Sequence, residues 1–240
     1  MQPEPPPPPA TYEHVAGMID HALLGPALTS VEVIEGLELA RRSKVASATV
    51  RPCDIEAAVR VLDGSPVKPG SVVGFPHGSQ STAVKLYEAR DLLRRGAREI
   101  DAVIAISRLL SREFQYVQTE LQQMADACHK EGAILKAIFE TAYLTDELKI
   151  IACRMAERTG VDIIATSTGF APAGGTIEDL LLLRRHAPGT IGVKAEGAST
   201  LDQLLEARQA GATRIGITQT AAILKDWKAR LAAADPGRPS

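Results

Sequence analysis

Eight short β-type runs, each followed by a stretch with helical apolar spacing, constrain this 240-residue chain more than any single residue does. The runs lie at residues 18–23, 48–50, 71–75, 99–104, 134–139, 162–166, 190–194 and 214–218. Between the first two, Val31, Ile34, Leu37 and Ala40 recur at helical spacing behind a Thr29/Ser30 cap. Comparable stretches occupy 82–95, 113–130, 145–158, 176–186 and 201–210. Gly96, Gly132, Gly160 and Gly211 stand just past helix ends, where a positive φ is favoured. Parallel strands need a crossover connection, so repeated strand–helix units predict a parallel sheet, and eight of them predict closure into an α/β, (β/α)8 TIM barrel. No G-x-G-x-x-G follows the first run, which argues against an open doubly wound sheet. The expected organisation is a proline-rich tail over 1–12, a single barrel domain over 13–234 and a loose tail over 235–240.

Composition decides the partners. Apolar residues make up 45% and charged residues 23%, which suits a globular domain, and a formal net charge of −2 offers no attraction for nucleic acid or an anionic membrane. Neither is expected as a partner. The proline run at the amino terminus lacks the basic and apolar regions of a signal peptide, and no apolar segment is long enough to span a bilayer. Cys53, Cys128 and Cys153 are odd in number and lack C-x-x-C spacing, so a reducing cytoplasm is the expected location.

The run Val161-Asp162-Ile163-Ile164-Ala165 ends in Thr166-Ser167-Thr168-Gly169-Phe170, an apolar strand that delivers small polar groups to its carboxyl end. In a barrel that end faces the active site. The strand ends are expected to project Asp20, His21, Thr49, Arg51, His77, Asp101, Lys136, Glu140, Thr166, Ser167, Lys194, Glu196, Thr218 and Gln219 into one bowl. Lys136 and Lys194 each interrupt an apolar strand, a place lysine rarely takes unless it is paired or used. Either could close the barrel by pairing with Asp101, Glu140 or Glu196. Together they could also hold an amine for carbonyl chemistry or proton transfer.

The chain resembles the deoxyribose-phosphate aldolases, lysine-dependent class I aldolases on a (β/α)8 barrel. The resemblance is carried by Ile19-Asp20-His21-Ala22-Leu23-Leu24, Val73-Gly74-Phe75-Pro76-His77-Gly78, Glu99-Ile100-Asp101, Leu135 through Thr141, Asp162 through Gly169, Gly192-Val193-Lys194 and Arg214-Ile215-Gly216. It implies that Asp101 and Lys194 form a proton relay. The family's Schiff-base lysine directly precedes Thr-Ser-Thr-Gly, and this chain has Ala165 there, whose methyl group cannot form an iminium ion.

Other departures accompany it. Phe170 stands where the family has a phosphate-holding lysine, and Glu196 precedes Gly197-Ala198 where paired glycines are expected. Thr218-Gln219 replaces a serine pair, Thr49 a cysteine and Arg51 an aromatic neighbour. A lost cation and an added carboxylate weaken the case for a phosphorylated substrate. Several coordinated differences favour natural divergence over a laboratory lysine-to-alanine change.

The preferred reading is a lyase with a rebuilt site that acts on a small carbonyl substrate by aldol, retro-aldol, enolisation, dehydration or cyclisation chemistry. Lys194, or failing it Lys136, is expected to act as nucleophile or base with help from Asp101. Asp20, Thr49, Arg51, Glu140, Thr166, Ser167, Phe170, Glu196, Gly197, Thr218 and Gln219 are the expected substrate contacts. The alternative is a non-catalytic relative that binds a metabolite or partner, although a costly charged cluster is readily replaced when unused. A metal-dependent aldolase is disfavoured because His21 and His77 are isolated, so neither metal nor cofactor is expected. Barrels of this kind commonly associate, so a homodimer is expected by analogy.

Overall fold

The computed structural model describes residues 6–234, so positions 1–5 of the expected amino-terminal tail and the whole of the expected tail over 235–240 lie outside them. Helix α1 (Tyr12–Ala16) precedes β1 (Ile19–Leu23), and α2 (Ser30–Ser43) leads to β2 (Ser47–Val50). Helix α3 (Ile55–Leu62), β3 (Lys68–Val73), α4 (Thr82–Arg94) and β4 (Glu99–Val103) follow. Next come α5 (Ile106–Leu110), α6 (Phe114–Lys130), β5 (Ile134–Ile138), α7 (Asp146–Arg158) and β6 (Ile163–Ala165). Helix α8 (Ile177–His186), β7 (Gly192–Glu196), α9 (Leu201–Gln209), β8 (Arg214–Ile217) and α10 (Thr220–Ala234) complete the order. All eight strands pair in parallel with their sequence neighbours, and β8 returns to β1 through Ile19↔Ile215, Asp20↔Gly216 and His21↔Ile217. The chain is therefore the (β/α)8 barrel that its repeating pattern predicts.

Thr11 and Tyr12 do not belong to a loose tail. The Thr11 hydroxyl caps α1, its carbonyl accepts from Trp227 Nε1 at 3.0 Å on α10, and the Tyr12 hydroxyl donates to the Ser43 carbonyl at 3.1 Å. Strand β3 starts three residues earlier than expected, at Lys68, because Pro69 and Gly70 read as a turn. Proline is tolerated near the start of a strand, and the Pro69 carbonyl still accepts from Arg98 N at 2.8 Å. Strand β7 starts two residues late and runs on to Glu196, which places that carboxylate on the sheet instead of beyond it.

Strand alternation divides the interior in two. Val50, Ile100, Ala102, Leu135, Ile164, Val193 and Ile215 are fully or nearly fully buried against the helices. The opposite faces of the same strands meet inside the barrel. Helix starts are fixed by side chains: Thr29 with Glu32 and Thr176 with Asp179 form reciprocal capping boxes. Gly96, Gly132, Gly160 and Gly211 all adopt the positive φ expected of them.

Candidate active site

A TIM-barrel interior is normally packed with branched apolar side chains. Here the register fills it with charge. Lys194 lies beside Arg214 and Ala165, Asp101 beside Lys136, and Glu196 beside Gly216, which in turn neighbours Asp20. Because paired residues of parallel strands point to the same face, Asp20, Glu99, Asp101, Lys136, Lys194, Glu196 and Arg214 share one space.

Lys136 sits at the centre, with Nζ 2.7 Å from Asp20 Oδ2, 2.7 Å from Glu99 Oε2 and 3.0 Å from Asp101 Oδ1. Arg214 closes the lower side with Nε 2.7 Å from Asp20 Oδ1 and Nη2 2.6 Å from Glu99 Oε2. Ser47 Oγ donates to Asp20 Oδ1 at 2.8 Å. Lys194 lies on the other side of Asp101, 2.7 Å from its Oδ2, 3.3 Å from Asp20 Oδ2 and 3.6 Å from Glu196 Oε2. Lys136 has no exposed surface, whereas the Glu196 side chain keeps 15% of its own.

The charges set one another's protonation. Burial would depress the Lys194 ammonium, yet Asp101, Asp20 and Glu196 outweigh it and hold its pKa well above the usual lysine value. Lys136 is likewise raised, against burial, by Asp101, Asp20 and Glu99. Burial works to raise Asp20 and Asp101, but the lysines, joined by Arg214 at Asp20, bring both below the usual carboxylate range. Glu196 behaves differently. Burial, reinforced by Asp101 and Asp20, outweighs Lys194 and Lys136 and pushes its carboxyl up to about 7. With Glu196 protonated, the three remaining carboxylates balance the three cations.

The other expected site residues divide. Ala165 is fully buried beside Lys194. The Thr49 hydroxyl is buried inside the barrel without a hydrogen-bond partner among the described residues. Glu140, in a left-handed conformation with φ 52°, accepts from the Thr168 amide and hydroxyl, and burial raises its pKa against those bonds. Pro76, His77, Ser107, Glu140, Thr168 and Phe170 line a cavity of about 310 Å³ at the strand carboxyl ends. Phe170 packs edge-on against Phe75, with ring centroids 5.2 Å apart.

His21, Arg51 and Thr166 do not enter the bowl as expected. His21 faces outward, because β1 turns Asp20 inward and its neighbours out; its Nδ1 lies 2.8 Å from Thr220 Oγ1, and burial lowers its pKa to about 4. Arg51 is held away by Asp54 at 2.7 Å and by the Gly25 carbonyl at 3.2 Å. Thr166 packs on Gly175, and Ser167 Oγ accepts from the Gly175 amide at 3.4 Å, so both brace the loop after β6. The Gly197 amide donates to the Gly216 carbonyl at 2.9 Å, while Thr218 and Gln219 are exposed just before α10. Glu99, Arg214 and Ser47 were missing from the sequence-derived set. A two-residue spacing from Asp101 points to Glu99, and the same spacing from Gly216 points to Arg214.

Residues 16–218 match the family described as DeoC/LacD family aldolase. The chain belongs to this family. A deoxyribose-phosphate aldolase of Bacteroides thetaiotaomicron is 41% identical over 219 residues, covering 91% of this chain and 92% of the relative. The solved aldolase QR15 superposes with a TM-score of 0.86 at 33% identity, covering 92% of this chain and 99% of that one. A deoxyribose phosphate aldolase from Aeropyrum pernix, described as having a unique tetrameric structure, gives 0.82 at 30% identity over 92% of this chain and 93% of that one. The DeoC/LacD match spans the barrel from just before β1 to just after β8. It therefore covers every member of the charged interior.

Proposed function

We propose that this aldolase-family chain is an enzyme that enolises and cleaves or joins small, uncharged carbonyl compounds without a covalent enzyme intermediate. The observation that carries the reading is Lys194 Nζ held 2.7 Å from Asp101 Oδ2 and 3.3 Å from Asp20 Oδ2, beside an alanine where an amine would be needed. A Schiff base forms only from a neutral amine, and these carboxylates favour the ammonium. Lys194 then serves as a fixed positive charge that stabilises the enolate oxygen as it develops, a form of electrostatic help that needs no proton to move first.

Lys136, enclosed among Asp20, Glu99 and Asp101, is a positioning residue in this account. It fixes Asp101, which in turn fixes Lys194. The cavity bounded by Glu140, Thr168 and Phe170 supplies room for a compact substrate. The named relatives are deoxyribose-phosphate aldolases. For this chain an unphosphorylated substrate is favoured, since Glu196 stands in the bowl and the apolar Phe170 lines the cavity.

The reading is tested by proton exchange at the carbon next to the carbonyl, followed by NMR in D2O with acetaldehyde, hydroxyacetone and dihydroxyacetone. The wild-type protein is expected to exchange at least one of them faster than its phosphorylated counterpart, and Lys194→Met to lose the activity about 100-fold or more. No exchange with any probe, or an undiminished Lys194→Met variant, would overturn it.

A further inference from the structure

Glu196 makes none of the short ion pairs that join the barrel strands. Lys136, Arg214 and Lys194 make all their contacts within 3.3 Å with Asp20, Glu99 and Asp101. The only ion pair that includes Glu196 among the described residues is the longer one, 3.6 Å to Lys194. Its carboxyl instead occupies a notch on β8 that exists because position 216 is glycine; any side chain there would collide with Oε1 and Oε2. On its other flank, a Cβ at Gly169 would meet Glu196 Cγ at 3.6 Å, so the carboxyl arm passes beside the turn that leads to Phe170 and the cavity. The carboxyl is therefore partly exposed and stands beside the ammonium to which the non-covalent reading assigns the substrate's carbonyl oxygen.

We infer that Glu196 is the general base and acid of this site, moving a proton to and from the carbon next to the substrate carbonyl while Lys194 holds the oxygen. This rests on the non-covalent reading above. The Glu196 carboxylate takes a proton from that carbon, the C–H electron pair becomes the carbon–carbon double bond, and the carbonyl π pair moves onto oxygen opposite Lys194. In the cleavage direction Glu196 instead takes the proton of the β-hydroxyl, the carbon–carbon bond breaks to give an aldehyde and an enolate, and Glu196 returns the proton to the enolate carbon. Every proton and electron pair is accounted for by substrate and Glu196, so no co-reactant is needed.

The charged groups that face Glu196 are Lys194 on its own strand, Asp101 on β4, Asp20 on β1 and Lys136 on β5, while β8 presents Gly216 beside its carboxyl and, two residues earlier, Arg214 engaged with Asp20 and Glu99. The resulting balance places its pKa at about 7, the range in which a carboxyl can both accept and return a proton near neutral pH.

Two measurements on the full-length protein test the assignment. Infrared difference spectra across a pH titration are expected to show a protonated carboxyl that is lost with a midpoint near 7 and is missing from Glu196→Gln. Exchange of hydroxyacetone in D2O is expected to rise with the same midpoint, and to fall about 10²- to 10⁴-fold in Glu196→Gln and in Glu196→Ser. Wild-type exchange that survives in both variants overturns the role of Glu196 and leaves the non-covalent reading standing. A Glu196 midpoint below about 5.5, the ordinary carboxylate range, overturns it without reference to any substrate. Absence of wild-type exchange with every probe removes the underlying reading, and this assignment with it.

Discussion

A carboxyl that keeps its proton to about pH 7 in the folded chain, against 4.5 for the free side chain, weakens the fold as pH rises. Between those values the native state binds more protons than the unfolded one, so Glu196 costs stability progressively from pH 4.5 and in full above 7. Glu196→Gln is therefore expected to be more stable than the parent at pH 8, on the order of 2 kcal/mol, and near parity at pH 4.5. Urea unfolding at the two pH values checks this. His21 acts in the opposite window. Its folded pKa of about 4 lies below its ordinary 6.5, so the unfolded state gains the proton first and stability falls as pH drops from 6.5 toward 4. At this scale the sequence was legible where charge interrupted an apolar strand, as at Lys136 and Lys194. It was not legible at Arg51, His21 and Thr166, because alternation about one strand decides which side a residue faces and a one-residue shift reverses it. Glu99 and Arg214 escaped because each stands at the first residue of its strand, where a charge reads as solvent-facing.

Helices α4 and α6 meet the end of β4 through an ion pair that their amphipathic spacing does not reveal. Lys85 Nζ lies 2.9 Å from Glu120 Oε1 with neither side chain exposed, and it also donates to the Val103 carbonyl at 2.7 Å. Glu120 in turn accepts from the Ala105 amide at 3.0 Å. Removing one partner strands the other, so Lys85→Met is expected to cost about 3–5 kcal/mol, while Lys85→Met with Glu120→Leu recovers much of it. Thermal and urea unfolding of the single and double variants measure the difference. Helix caps, by contrast, were readable as local chemistry. Thr176→Ala removes the capping box of α8 and is expected to cost about 1 kcal/mol, read from the same unfolding curves. Strand existence was legible throughout and strand ends were not, since Glu196 joins β7 only through its pairing with Gly216.

For the molecule as a whole, the barrel holds its strands together around ions where most barrels use apolar layers. Four acids and three bases from five of the eight strands meet there, and the proposed site is the exposed edge of that same cluster. Lys136→Met is expected to lose about 3–5 kcal/mol of stability, because Asp20, Glu99 and Asp101 would then share too few cations. The central claim is that chemistry runs here without a covalent amine. Borohydride trapping with acetaldehyde, followed by peptide mass analysis, tests it most directly. The account predicts no reduced adduct on Lys194 or Lys136 of the wild-type protein and an adduct at position 165 of Ala165→Lys, whereas a stoichiometric adduct on either native lysine would contradict it.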